Sequence, residues 1–141
     1  MQKNRYFIER NGSLKNFDVK IHEKVEKLNA DFILEEKKRY KEYFQTVEKN
    51  PLTSQQAEAV IRDADACLVN AGAGTGKTSV VIGKIGYLLL KDVVKPKEIL
   101  ALAYGKEAAN EMRERVKFLL NQDVEARTFH SLGLSIIESS V

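Results

Sequence analysis

The stretch Ala71-Gly72-Ala73-Gly74-Thr75-Gly76-Lys77-Thr78 decides how this chain folds. Glycines at 72, 74 and 76 let a short loop curl tightly enough for its backbone N–H groups to converge on one anion. Just before it, Ala66-Cys67-Leu68-Val69 is an apolar run bounded by turn formers, which predicts a buried parallel strand. Just after it, Lys77 to Lys91 predicts a helix with Val80, Val81, Ile85, Leu88 and Leu89 on its apolar side. Strand, glycine loop and helix make a cradle for phosphate, because the helix N-terminus adds a favourable dipole. In such a cradle Lys77 reaches the β- and γ-phosphates of a nucleoside triphosphate and the Thr78 hydroxyl ligates Mg²⁺. The strict pattern opens on glycine, and Ala71 is a tolerated variant of it. A glycine loop that only turns the chain is the bland alternative; the strand before it and the helix after it argue against that. Ala71, Gly72, Ala73, Gly74, Thr75, Gly76, Lys77, Thr78 and Ser79 are therefore the candidate nucleotide-binding segment, with Lys77 as its catalytic cation.

Toward the C-terminus, Lys95-Pro96-Lys97 marks a turn and Ile99 to Tyr104 predicts a second buried strand. Glu107 to Leu120 predicts a helix, with Ala108, Met112, Val116 and Leu119 at helical spacing. Val124 to Phe129 predicts a third strand, and Ser131 to Ile137 a last helix. Strands alternating with helices imply right-handed crossovers and a parallel sheet. The predicted class is α/β: a partial P-loop NTPase (RecA-like) parallel sheet of about three strands, with helices on both faces.

Toward the N-terminus, Thr53 or Ser54 caps a helix from Gln55 to Arg62 that turns Ala59, Val60 and Ile61 inward. Asn50-Pro51 ends whatever helix precedes it, because the residue before proline is pushed out of the helical region. That point divides the chain into residues 1–50, a charged helical arm, and residues 51–141. Within the arm, Phe17, Val19 and Ile21 alternate with Asp18 and Lys20 as in a short strand. Ile21, Val25, Leu28 and Phe32, then Tyr40, Tyr43, Phe44 and Val47, follow helical spacing around the polar interruption Glu35 to Arg39. One helix or two joined near Asp31 fit; a continuous helix from His22 to Lys49 would be about 42 Å long, too long to bury throughout.

A chain of 141 residues suits one ordinary domain. With 43% apolar residues, 30% charged and 2 prolines, neither a collagen nor a disordered tail fits. The net charge of +3 arises in residues 1–50, which hold 12 basic and 9 acidic side chains; residues 51–141 hold 11 of each. So mild a surplus predicts no nucleic-acid binding by itself. Lys37-Lys38-Arg39 lies beside Glu35, Glu36 and Glu42 and reads as a solvated face. The single cysteine, Cys67, excludes an internal disulfide and any multi-cysteine metal site. Ser79 to Leu90, the longest apolar stretch, is broken by Lys84 and predicts no membrane span. Met1-Gln2-Lys3-Asn4-Arg5 leads into no apolar signal core, so a cytoplasmic, reducing setting is expected.

A phosphate loop alone implies only a nucleoside triphosphate, but its flanks are more specific. Pro51 to Val60, with Leu52-Thr53-Ser54-Gln55-Gln56 at its start, resembles the Q motif of UvrD/Rep-type superfamily 1 DNA helicases. By that resemblance Gln56 reads adenine through an amide that donates and accepts at once, so the expected nucleotide is ATP with Mg²⁺. Ala103 to Val116 resembles the next block of the family, matching it at Ala108, Ala109, Glu111, Met112 and Arg115 and departing from it at Ala103, Gly105, Lys106 and Glu107. Thr128-Phe129-His130-Ser131-Leu132-Gly133 resembles a third, strand-contacting block. The resemblance implies Tyr104, Lys106, Thr128, Phe129 and His130 as candidate contacts to single-stranded DNA, through stacking and phosphate hydrogen bonds. His22 has no motif around it and reads as a surface histidine. The Asn50-Pro51-Leu52-Thr53 entry and the start of the second block look most like the DNA helicase IV branch.

The family continues well past this point. The acidic pair and the transition-state arginines that complete its site have no counterpart in these residues. The resemblance therefore implies an N-terminal piece of a helicase motor acting in DNA repair, moving 3′ to 5′ on DNA, its isolated form binding nucleotide weakly without turnover. An unpaired strand edge in such a piece also implies self-association. A small-molecule kinase and a non-catalytic nucleotide-binding module are the competing classes; the kinase leaves Gln56 and Thr128 to Gly133 unexplained.

Overall fold

The computed structural model describes residues 19–139, with side chains from Glu23 onward. His22 and Phe17, read above as a surface histidine and as part of a strand, fall outside the described side chains. Of the strand expected at 17–21, Phe17 and Asp18 lie outside the described residues, and Val19–Ile21 are the first turn of α1, Val19–Arg39, in place of a strand. A lone strand has no ladder to join, whereas a helix satisfies its backbone within itself. The helix runs straight through Asp31 and breaks instead at Tyr40, whose φ of −105° and ψ of 25° leave helical geometry. The charged run Glu35 to Arg39 is built of good helix formers, so the polar interruption in the stripe is no interruption of the backbone. A short α2, Lys41–Thr46, follows, and the Leu52 N–H donates to the Phe44 carbonyl to close the turn through Pro51.

Thr53 caps α3, Ser54–Ile61, in a reciprocal box with Gln56. Ala57, Val60 and Ile61 are its buried residues, with Ala59 half-buried. After the glycine loop, α4 spans Lys77–Leu90 and is the hub of the molecule. One side of it joins Ile33, Phe44, Ala57, Val60 and Ile61 through Val80 and Tyr87. The other side joins Val116 and Val124 through Ile82 and Ile85. Val81, expected to face inward, is exposed, and Ile82 is fully buried in its place. Burying a side chain of that size contributes roughly 1.5–3 kcal/mol. Close packing against α4 depends on Gly83 and Gly86: a Cβ at Gly86 would sit 2.3 Å from the Tyr43 hydroxyl and 2.7 Å from Leu120.

Beyond a 3-10 turn at Pro96–Glu98, β1 spans Leu100–Ala103, α5 spans Lys106–Leu120 and β2 spans Glu125–Thr128. The strands pair in parallel, Leu100 with Glu125 through Ala103 with Thr128, and α5 crosses between them. Ala109 and Val116 are the buried residues of α5, and Ala108 is exposed, one residue out of phase with the expected stripe. Asn121, at φ 49°, ends α5 in the left-handed conformation. Phe129 was expected to close the third strand but opens α6, Phe129–Glu138, because Thr128 caps that helix.

The sheet holds two described strands, not three. Residues 66–69 lie outside it; Cys67 is exposed and Leu68 is 92% exposed. An apolar run becomes a strand only where neighbouring backbone accepts its hydrogen bonds, and β1 and β2 pair with each other. Among the described residues no helix is long and apolar enough to cross a membrane.

Candidate functional site

The loop between Ala71 and Gly76 is held by short-range hydrogen bonds. Thr75 Oγ1 donates to the Gly72 carbonyl at 2.7 Å. Lys77 Nζ donates to the carbonyls of Ala71 at 2.9 Å and Gly72 at 2.7 Å, so the loop curls around its ammonium group. Gly74 and Gly76 adopt φ of 74° and 83°, a region that side chains disfavour. Gly76 is also the N-cap of α4, and the Val80 N–H to Gly76 carbonyl bond is the first of that helix. The N–H groups of Lys77, Thr78 and Ser79 therefore precede the helical ladder and give the loop an anion-seeking end. Thr78 is half-buried in this first turn.

Gln56 comes to the loop from α3. The Thr53 N–H donates to Gln56 Oε1 at 2.8 Å, while Gln56 Nε2 donates to the Thr75 carbonyl at 3.0 Å. These two bonds fix which way the amide faces and leave one N–H and one lone pair free for a ligand. Gly76 makes the approach possible, since a Cβ there would lie 2.6 Å from Gln56 Nε2. The spacing Thr53-Ser54-Gln55-Gln56 is a capping-box signature, a signal in the sequence that foretells the side-chain placement of Gln56.

Ser79, the last residue of the expected binding segment, faces Arg115 of α5, which donates to its hydroxyl at 3.4 Å. The same guanidinium pairs with Glu48 at 2.5 Å and with Glu111 at 3.4 Å. Neither Glu48 nor this role of Arg115 stands out in the sequence.

Tyr104, Lys106, Phe129 and His130 occupy a different edge. Ala103 pairs with Thr128, so the residues that follow, Tyr104 and Phe129, leave adjacent strand ends side by side. Tyr104 is 93% exposed and Phe129 61%, and Lys106 and His130 are exposed as well. Thr128 differs from them: it is buried, and its hydroxyl accepts from the Ser131 N–H at 3.2 Å as the cap of α6. The side-chain hydrogen bonds of the glycine loop stay within the loop and α3 and do not reach this edge. Among the described residues no group of three His, Cys, Asp or Glu side chains could hold a metal ion. A Mg²⁺ ion bound here would take one protein oxygen, the Thr78 hydroxyl, and fill its shell from phosphate and water.

The strongest electrostatic feature lies away from both places. Glu36, read as part of a solvated face, is 2% exposed and accepts from the Tyr87 hydroxyl at 2.5 Å and from Lys91 Nζ at 2.8 Å. Burial pushes the Glu36 carboxyl up, but hydrogen bonds from Lys91 and Tyr87 and the charges of Lys91 and Arg39 outweigh it and leave the group below 4.5. Burial and the Glu36 carboxylate raise the Tyr87 phenol well above its ordinary range. Lys37, in the same run, reaches α3, with Nζ 3.0 Å from Ser54 Oγ and 3.4 Å from Glu58.

Comparison with known proteins follows the same segments. The model of the UvrD/REP helicase N-terminal domain matches residues 52–141. DNA helicase IV of Escherichia coli is 47% identical over 100 residues, 70% of this chain and 15% of that protein. The ATP-dependent DNA helicase PcrA of Staphylococcus aureus is 40% identical over 91 residues, 62% of this chain and 12% of that protein. PcrA of Leuconostoc citreum is 41% identical over 92 residues, with the same coverage. The chain thus spans 12% to 15% of the length of these relatives. With most of its length matched, the chain belongs to the UvrD/REP helicase N-terminal domain family.

Proposed function

We propose that this chain is the nucleotide-binding part of the first motor domain of an ATP-dependent DNA helicase. Residues 51–141 are then an incomplete motor core, and residues 1–50 an arm attached to it. The observation that carries the proposal is the bond from Gln56 Nε2 to the Thr75 carbonyl, which fastens a base-reading amide to the loop that holds Lys77. Adenine presents a donor and an acceptor on one edge, and the free N–H and lone pair of Gln56 complement it. The N–H groups at the start of α4 and the Lys77 ammonium suit the β- and γ-phosphates. On binding, Lys77 exchanges two neutral carbonyl acceptors for anionic oxygens, and charge-assisted bonds of that kind are the stronger. Mg²⁺ held by Thr78 neutralises phosphate charge when bound.

Tyr104, Lys106, Phe129 and His130 form the proposed DNA-facing edge: two rings for stacking, an ammonium and an imidazole for phosphate. Thr128 serves that edge by capping α6, which starts at Phe129. The direction of movement, 3′ to 5′, follows the family resemblance.

The test is a titration of the chain with fluorescent analogues of ATP and GTP in Mg²⁺. The wild-type chain should prefer the adenine analogue, and Gln56→Ala should flatten that preference while retaining triphosphate binding. An unchanged ratio of the two affinities in Gln56→Ala would remove the adenine assignment.

A further inference from the structure

The N-terminal arm touches α4 at a regular interval. Ser79, Gly83, Tyr87 and Lys91 are four residues apart and so form one row along the helix. Each meets a polar group tied to the arm. Tyr87 and Lys91 bond Glu36 of α1. The Tyr43 hydroxyl of α2 donates to the Gly83 carbonyl at 2.7 Å, and burial raises its pKa, so it remains a donor at any ordinary pH. Glu48, just past α2, holds Arg115, which donates to Ser79. The row begins two residues from Lys77 and next to Thr78.

We propose that the arm is a brace for the nucleotide site, and that Glu48 and Arg115 are its positioning residues, fixing the first turn of α4 and hence Lys77 and Thr78. The Glu48 side chain is 9% exposed and that of Arg115 28%, so the pair is shielded from the water that weakens surface ion pairs. Both bonds come from one nitrogen, Arg115 Nη2, so a single terminal group at the reach of a guanidinium links Glu48 to Ser79. Glu111, the third partner of Arg115, is 65% exposed and contributes little to holding it. The arm's apolar residues Ile33 and Phe44 share a core with Val80, the residue following Ser79, so the polar row and the apolar packing pull on the same turn.

The affinity part of the test rests on the nucleotide reading above; the spectral part does not. Amide proton–nitrogen spectra of the chain would be recorded without nucleotide for wild type, Glu48→Gln, Arg115→Lys and Glu111→Gln, followed by titration with a fluorescent ATP analogue in Mg²⁺. Glu48→Gln should displace the amide signals of Lys77, Thr78 and Ser79, although it lies in another element, and should weaken the analogue about tenfold, the loss expected when a charge-assisted bond no longer holds its partner. Glu111→Gln should leave both unchanged. Displacements that stop at α5, or that reach Lys77 with affinity unaltered, would overturn the proposal. Should Glu48→Gln lose the dispersed spectrum of a folded chain, Arg115→Lys carries the same comparison, since it keeps the charge and loses the reach of Nη2 to Glu48 and Ser79. If the wild type binds the analogue no better than Lys77→Ala, the nucleotide reading fails, and the amide displacements alone decide whether the brace exists.

Discussion

Gln56 is tied to the glycine loop by its amide and to its own helix by a reciprocal cap, so both of its ends are fixed before any ligand arrives. Tyr104, at the end of β1, is 93% exposed and meets solvent on almost every side. Both residues belong to segments with the same family resemblance, yet one region is tied together by its own hydrogen bonds and the other is only presented. The loop side is assembled from bonds between residues close in sequence and one longer bond from Gln56 to Thr75, with α3 and α4 packed through Val60 and Gly83. The strand-end side presents its rings without such bonds, leaving Tyr104 and Phe129 exposed. A region closed by local bonds can keep its geometry in an isolated piece; an open edge depends on further surfaces to become a binding groove.

The largest consequence concerns turnover. Water attack on a phosphoryl group needs arginine stabilisation of the transition state, worth on the order of 10³ to 10⁵ in rate. On the proposed reading the loop side brings Lys77 and no residue assigned the arginine or acid-pair role, so this chain should release no phosphate from ATP above the Lys77→Ala background, with or without single-stranded DNA. DNA-stimulated release that vanishes in Lys77→Ala would mean that the loop side is a complete catalytic site.

A stability effect ranks next. Lys91→Met strips a buried carboxylate of its cation, and should cost about 3 kcal/mol, the low end for a broken buried pair, because Tyr87 and Arg39 still bond Glu36. Urea unfolding would read it, and a shift below about 1 kcal/mol would show that the pair is as weakly coupled as a surface one. The same carboxylate sets an acid limb. Its folded pKa lies below the ordinary 4.5, so its stabilisation is complete above about that pH and is lost as pH falls through the lower folded value. Glu36→Gln should remove that part of the acid dependence, and an unaltered limb would assign it to other groups.

Gly76→Ala is a more local probe of the bonded loop. It forces a side chain into φ 83° and against Gln56 Nε2, with strain of roughly 1–3 kcal/mol. The adenine preference should fall together with triphosphate affinity; loss of phosphate affinity alone would show that Gln56 and the loop work separately. The smallest effects belong to the open edge. Tyr104→Ser and Phe129→Ser should change stability by less than about 0.5 kcal/mol, as surface substitutions do, while lowering photo-crosslinking to an oligothymidylate. Unfolding shifts much larger than this would mean that the edge is closed by packing.

What was legible in the sequence divides along the same line. The glycine spacing, the start of α4 at Lys77 and the end of α5 at Leu120 follow from local chemistry, and the structure has them there. The cap at Thr53 is equally local. Residues 66–69 failed because an apolar run reports a wish for burial and says nothing of which strand will accept its hydrogen bonds. Glu36 failed because a charged run looks solvated until Tyr87 and Lys91, more than fifty residues away, are folded against it. Ala109 took the place of Ala108 because one residue turns a helix by about 100°, and only the packing of α5 on the sheet sets that phase. Phe129 continues the run Val124 to Thr128 in the sequence, but the threonine before it caps a helix and so takes Phe129 out of the strand.

The most direct measurement is an equilibrium titration of this chain with a fluorescent ATP analogue and Mg²⁺, beside Lys77→Ala. Weak, saturable one-site binding to the wild-type chain should disappear in Lys77→Ala, while the variant's amide spectrum stays that of a folded protein. Equal signals from the two chains, or none from the wild type, would contradict the assignment of the glycine loop as a nucleotide site.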